Sequence, residues 1–384
     1  MSNLAAQGAG TLAGVRVVEI AGLGPTPYAA MILADMGAEV IRVERPGATH
    51  LVPQSPDFLN RSRHFVELDL KEPEALHLAK ELIAKADVLI EGLRPGVMEK
   101  NGLGPEVVLA LNPRIIYGRM TGWGQSGPLA KTAGHDINYI ALTGALHAIG
   151  SEDAPTVPLN LLGDFGGGSL FLVTGILAAL FHAARTGEGQ VVDAAITDGT
   201  LHMLTLQHSL MHSGLWRDRR ATNILDGTAP FYTTYECADG EYIAVGCLEP
   251  HFYALFIEGL GLDINELPPQ MNSKEWPKLR QHFAQRIKAH SRDHWERVFA
   301  GTDACVTPVL SLTEAKAHPH NQERRAFAEI DGIEQPAPAP RLSKTQSSIR
   351  GNAPEQPVSA EKVLARWSQP PAASTMSART MSAD

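Results

Sequence analysis

"VRVVEIAGLGPTPYAAMILADMGAEVIRVE", residues 15–44, decides the fold. It opens on a β-branched run, VRVVEI (15–20), turns through glycine and proline, carries an apolar helical pattern near 28–36, and ends on a second run, EVIRVE (39–44). Strand, helix, strand in so short a span is a βαβ unit, which joins parallel strands and puts ligand sites at their C-terminal ends. The turn GLGPTP (22–27), with Glu44 downstream, imitates a dinucleotide fingerprint. Tyr28 or Ala29 stands where the third glycine belongs, however, and Pro25 and Pro27 make a rigid turn, so no nicotinamide cofactor is expected.

The same alternation continues outward: EALHLAKELIAKA (74–86) reads as helix, DVLIE (87–91) and RIIYGRM (114–120) as strands. The fold class is therefore α/β. A glycine-rich GDFGGGS (163–169) introduces SLFLVTGILAALFHAA (169–184), an apolar segment shorter than a membrane span and read as a buried helix. GQVVDAAI (189–196) follows as a strand and 197–213 as a helix. After RDRRATNILDGTAP the texture changes to strands FYTTYE and EYIAVG, then helical stretches near 250–260 and 274–290. The expected division is a large α/β domain over 1–224, a small α+β domain over 225–320, a return segment over 321–368 packing on the large domain, and a disordered tail over 369–384.

The chain has 384 residues, 44% hydrophobic and 20% charged, ordinary for a globular enzyme-sized protein. Its net charge of −9 argues against nucleic acid or an anionic membrane as partner. The acidic excess lies late: through residue 131 there are 13 of the 33 Lys and Arg against 14 of the 42 Asp and Glu. The first third can thus still hold an anionic ligand. Cys237, Cys247 and Cys305 form no CxxC pattern, which fits a reducing compartment and neither a disulfide scaffold nor a metal site. The N-terminus carries no basic stretch followed by an apolar core, and the C-terminal MSAD is no peroxisomal SKL-type address, so a cytoplasmic protein is expected.

Four residues stand out chemically. In AGHDINY (133–139), histidine is the one residue type that titrates near neutrality, as a general base must, although His135 taken alone reads first as a satisfied structural histidine. Asp136 fits an N-cap for the helix that follows. Asp164, ahead of three glycines and an apolar helix, reads as a helix cap or as a carboxylate acid, base or nucleophile beside N–H groups able to hold an oxyanion. Glu249, before Pro250, reads as a cap or as an acid that orients an imidazole. Met203 and Met211, eight apart on one expected helix, would share a face, as core packing or as an adaptable aliphatic lining.

These segments, in order, resemble the alpha-methylacyl-CoA racemase family within the family III CoA-transferase superfamily. The resemblance is carried by GAEVIRVERPG, LDLK, IEGLRPGVMEKNGLGPE, YGRMTGWGQSGP, GHDINY, LNLLGDFGGGS, GQVVDAAITDG and CADGEYIAVGCLEP, and runs from about Gly14 to Trp367. Thr26 departs from the small glycine often found in the first turn, and NRSRHFVELDLK from a Lys/Arg–Ser pattern near the nucleotide site. The resemblance implies a Rossmann-like large domain, a smaller domain and an interlocked homodimer. It assigns catalysis to His135, Asp164 and Glu249. It assigns CoA binding to Arg45, to Glu67, Leu68, Asp69, Leu70 and Lys71, to Gly92, Leu93, Arg94 and Lys100, to Arg119, and to Gly134, Asp136, Ile137, Asn138 and Tyr139.

The implied reaction interconverts (2R)- and (2S)-2-methylacyl-CoA by moving the α-proton through an enolate, with His135 and Asp164 on opposite faces and Glu249 steadying the imidazole. No metal or redox cofactor is needed, because the thioester already acidifies the carbon and CoA arrives with the substrate. The rival within the fold is a CoA-transferase in which Asp164 attacks the thioester and carries the acyl group as an anhydride. His135 discriminates, since transfer needs no base at the α-carbon. A silent acyl-CoA-binding protein is the third alternative, opposed by the presence of all three residues.

Overall fold

A computed structural model of the chain describes residues 10–48 and 55–369. Arg16–Ile20 (β1), Pro25–Asp35 (α1) and Glu39–Glu44 (β2) make the βαβ unit, with β1 and β2 parallel and Val18 opposite Ile41. The helix starts at Pro25, ahead of the apolar pattern. Pro25 and Pro27 occupy its first turn, where the missing N–H has no helical partner to lose and φ is already set.

Strands His64–Glu67 (β3), Val88–Glu91 (β4), Ile116–Thr121 (β5) and Gln190–Ala195 (β6) complete a six-stranded sheet, all pairs parallel, in the order β3-β2-β1-β4-β5-β6. This is the doubly wound order, in which winding reverses between β1 and β4 and the loops leaving their C-terminal ends part to form a crevice. The central strands β1, β4 and β5 are covered on both faces, so their apolar residues stand side by side rather than alternating, with Glu19, Glu91 and Arg119 as buried charges among them. Val17, Val40, Val88 and Ile116 pack under α1 and the helix Phe171–Thr186, through Leu172 and Ile176. Val18, Ile41, Leu89 and Tyr117 pack under the helix Pro73–Ala84 (α2) and the late helix Ala360–Trp367.

The glycine-rich stretch does more than introduce the buried helix. Leu162–Leu170 is itself a π-helix running directly into Phe171–Thr186. The continuous run Leu159–Thr186 is thus 28 residues, long and apolar enough by composition to cross a membrane, against the expectation of a shorter segment. Its inner face, Leu172, Val173, Ile176, Ala179 and Ala183, is packed into the core of the large unit.

The large unit comprises residues up to Tyr139, 160–202 and from Phe327 onward; the small unit comprises 140–159 and 203–326. The small unit has a three-stranded antiparallel sheet, Tyr232–Glu236 (β7), Tyr242–Gly246 (β8) and Val306–Pro308 (β9), around a separate core of Phe231, Phe256, Phe283 and Trp295. It takes in two stretches expected in the large domain, 140–159 and 203–224, because they are tied to each other. Arg219 pairs with Glu152, while Arg220 donates to Ser151 O (2.7 Å) and His147 O (3.1 Å).

The expected helix 197–213 is broken at Leu204 into Ile196–Met203 and Thr205–His212, so Met203 and Met211 do not share a helix, and both are exposed. The return segment begins at Phe327 with a hairpin, Phe327–Ile330 (β10) and Ile333–Pro336 (β11), to which Arg61 donates at Gln335 Oε1 and Pro336 O. Val363, Leu364 and Trp367 then join the core beneath α2. From residue 370 the expected disordered tail lies outside the described residues.

Candidate active site

The segment after β5 brings His135 and Asp136 to the start of the helix Asp136–Leu142. Asn138, not Asp136, closes its first turn: the His135 N–H donates to Asn138 Oδ1 at 3.0 Å. Asp136, 9% exposed, instead reaches across to accept the Asp164 N–H at 2.6 Å, with the Gly163 N–H as a second donor. Two N–H groups at a helix start draw a carboxylate more strongly than one neutral turn. The consequence is a correction, since these N–H groups are occupied by Asp136 and are not free to hold an oxyanion.

Asp164 is not a helix cap. It is the third residue of the π-helix, its carboxylate makes no capping bond, and Oδ2 stands 3.5 Å from Asn160 Nδ2. The wider π turn, a form that recurs at functional sites, aims this side chain toward the N-terminus of α1. Gly24, at φ 60°, makes room there: a Cβ would stand 3.1 Å from Asp164 Oδ2. Ser169 Oγ fixes the junction, 2.8 Å from Pro25 O and 2.9 Å from Asp164 O.

Burial pushes the Asp164 carboxyl up to about 6, and the Asp136 charge pushes the same way; the Asn160 amide and the His135 charge oppose them. A carboxyl raised that far is a stronger base than an ordinary aspartate and keeps a minor protonated fraction at neutral pH, so both forms are within reach of proton transfer. The exposed His135 lies within electrostatic reach of it, one residue from the carboxylate that holds the Asp164 backbone.

Tyr139 closes one side of the site. Its hydroxyl donates to Gly134 O, and its ring meets Trp123 edge-on with centroids 4.7 Å apart. The ring occupies the space over Gly122, where a Cβ would fall 2.0 Å from ring carbons. Burial raises its phenol, as do the charges of Asp164 and Asp136, while Arg94 opposes them, which places the Arg94 guanidinium in the same field.

The residues expected to bind CoA lie on the loops at the C-terminal ends of β2 to β5. Arg45 is exposed after β2. Glu67 ends β3, with Asp69 Oδ1 accepting the Lys71 N–H at 3.1 Å and Lys71 exposed. Leu68 is a core residue, its N–H donating to Glu44 O at 2.8 Å, and Leu70 packs beside it. Gly92 and Arg94 are exposed after β4, Leu93 is half-buried, and Lys100 ends the helix Val97–Lys100 exposed. Ile137 is 42% exposed.

Arg119 departs from its expected role. It is 6% exposed and its guanidinium is spent on two carboxylates, Nε to Glu91 Oε1 (2.9 Å) and Nη1 to Glu99 Oε1 (2.8 Å), so it has no free fork for a phosphate. Glu249 belongs to the small unit, where it is exposed at the N-cap position of the helix Pro250–Gly259 and its side chain makes no capping bond. Gln270 Nε2 holds the preceding turn by donating to Cys247 O (3.1 Å) and Leu248 O (3.0 Å).

Sequence reasoning passed over Asn160, Gly24 and the buried acids Glu19 and Glu91. The signal for the acids was a carboxylate directly following consecutive apolar residues, Glu19 after Val17 and Val18 in VRVVEI and Glu91 after Val88 to Ile90 in DVLIE. Glu19, fully buried, is paired with Arg42 at 2.7 Å and also with Arg63.

The chain is similar over its length to known proteins. It is 51% identical over 337 residues to alpha-methylacyl-CoA racemase of Mus musculus and 48% identical over 338 residues to that of Homo sapiens, covering 87% of this chain and 87% of each relative. The crystal structure of a CAIB/BAIF family protein from Brucella suis superposes with a TM-score of 0.80 at 25% identity, covering 93% of this chain and 99% of that one. The sequence pattern of CoA-transferase family III matches residues 12–356, and the chain belongs to that family.

Proposed function

We propose that the protein is a racemase of 2-methylacyl-CoA thioesters, working by 1,1-proton transfer. The observation that carries the reading is the tie between the His135–Asp136 segment and Asp164. The carboxylate next in sequence to the imidazole holds the Asp164 backbone at 2.6 Å, and Asp164 titrates at about 6. Two proton-carrying side chains, one on each face of the carbon, are what inversion at an acidic carbon requires. One takes the α-proton, the C–H electron pair moves into the enolate, and the other returns a proton to the opposite face, so the bonds balance. Roles exchange with direction. The relatives that carry the name racemase support this reading over CoA transfer.

The nucleotide end of the substrate is assigned to the loops after β2 to β4, where Arg45, Lys71, Arg94 and Lys100 present exposed cations. Association as a homodimer is part of the proposal. It is supported by apolar side chains left in solvent on the large unit, Leu170 at 49% and Phe181 at 66% exposure among them.

The test uses one enantiomer of a 2-methylacyl-CoA in D2O without any acceptor acid. Deuterium at C2 with loss of optical purity is the expected result. A strict requirement for an acceptor acid, with a hydroxylamine-trappable acyl group on Asp164, is the result that favours transfer.

A further inference from the structure

We infer that Arg119 is a positioning residue: through a buried ion pair to Glu91 and a surface one to Glu99 it clamps both ends of the Gly92–Gly96 loop and so holds Arg94 and Lys100 in register for the phosphates of CoA. The inference rests on the acyl-CoA reading for the identity of the anion, and on the geometry for the clamp.

The loop's own ties are the packing of Leu93 against the core and one turn, the Val97 N–H donating to Arg94 O at 3.1 Å. The loop runs from the end of β4 to a single helical turn, Val97–Lys100, through Pro95 and through Gly96 at φ 91°. Arg119, on the neighbouring strand β5, grips what comes before the loop and what comes after it. Nε donates to Glu91 Oε1 at 2.9 Å, and Nη1 donates to Glu99 Oε1 at 2.8 Å. The other oxygen of Glu91 turns to the loop, accepting the Leu93 N–H at 2.7 Å. Each Glu91 oxygen thus has one task, one to the strand and one to the loop.

Glu91 is fully buried and Arg119 nearly so, which makes the pair rigid and its halves interdependent. The Tyr117 ring lies 5.7 Å from the guanidinium and its hydroxyl donates to Leu103 O at 2.9 Å, tying the same clamp to the residues beyond Lys100. A side chain this thoroughly satisfied does not reach out to a ligand. It acts by fixing the backbone from which Arg94 and Lys100 project, and binding then loses less conformational freedom.

Free CoA binding by calorimetry, racemisation kinetics and amide exchange of residues 92–98 test the clamp on the full-length protein. Glu91→Gln keeps an acceptor for Leu93 and loses the charge; Arg119→Lys keeps the charge and loses the fork. Both are expected to weaken CoA at least tenfold, to raise KM comparably, to leave kcat within about threefold, and to speed exchange across 92–98. Glu99→Gln, at a surface carboxylate, is expected to do the same by two- to fivefold. If either buried variant fails to fold, Glu91→Gln with Arg119→Met removes both charges together and takes its place.

Unchanged CoA affinity and loop exchange in folded variants overturn the clamp, as does a fall in kcat with KM unmoved. A wild-type protein that binds CoA and does not racemise refutes the proposed function while leaving the clamp standing. If it binds no CoA, unchanged exchange at 92–98 in the variants is the result that overturns the clamp.

Discussion

Replacing Asp164 with asparagine is expected to stabilise the fold while destroying turnover. The carboxyl is raised from 3.8 to about 6, first by burial and then by the Asp136 charge. A raised acid favours its protonated form in the folded chain, so its contribution to stability is complete below pH 3.8 and is lost as pH rises through 6. Integrating that shift gives a penalty of roughly 1–2 kcal/mol at pH 5 and about 3 kcal/mol at pH 8, upper values because solvent screens part of a half-buried carboxylate. The amide of the Asp164→Asn variant resembles the protonated acid at every pH and carries no such penalty. Urea denaturation of both proteins at pH 5 and pH 8 reads the difference. The variant should be the more stable, and its advantage should widen with pH, by on the order of 1 kcal/mol between the two. An advantage that does not grow with pH, or a less stable variant at pH 8, refutes the reasoning. Stability surrendered for an ionised carboxylate in a half-buried site is a usual mark of function.

Two further substitutions follow from the same geometry. Asp136→Asn keeps an acceptor for the Asp164 N–H and removes a charge that raises Asp164, so the limb of the pH–rate profile set by Asp164 should move to lower pH; an unmoved limb contradicts the coupling. Gly122→Ala puts a methyl 2.0 Å from Tyr139 ring carbons and must displace that ring, with an expected cost of about 1–3 kcal/mol in stability and a larger proportional loss of kcat/KM, measured by denaturation and kinetics side by side.

Much of this was legible in the chain because the strands of a parallel sheet announce themselves as apolar residues side by side. VRVVEI, EVIRVE, DVLIE and GQVVDAAI all became strands of the one sheet. What stayed hidden depended on partners distant in sequence. Asp136 looks like an N-cap until Asp164, 28 residues on, supplies an N–H. Arg119 looks like a free phosphate ligand until Glu91 and Glu99 fold against it. The boundary near 225 was misplaced because the ties from Arg219 and Arg220 back to 147–152 have no local signature. The glycines of GDFGGGS suggest a loop by propensity, yet Gly163, Gly167 and Gly168 are buried in a π-helix, where absent side chains allow close packing.

The account turns on one carbon served from two faces by His135 and Asp164, and solvent exchange in single-base variants tests it most directly. Each enantiomer of a 2-methylacyl-CoA is incubated in D2O with His135→Ala and, separately, with Asp164→Asn, and deuterium at C2 is followed together with configuration. The account predicts that neither variant inverts its substrate, that each still exchanges the α-proton of one enantiomer with retention, and that the two variants select opposite enantiomers. Inversion persisting in either variant, or exchange of the same enantiomer by both, would contradict it.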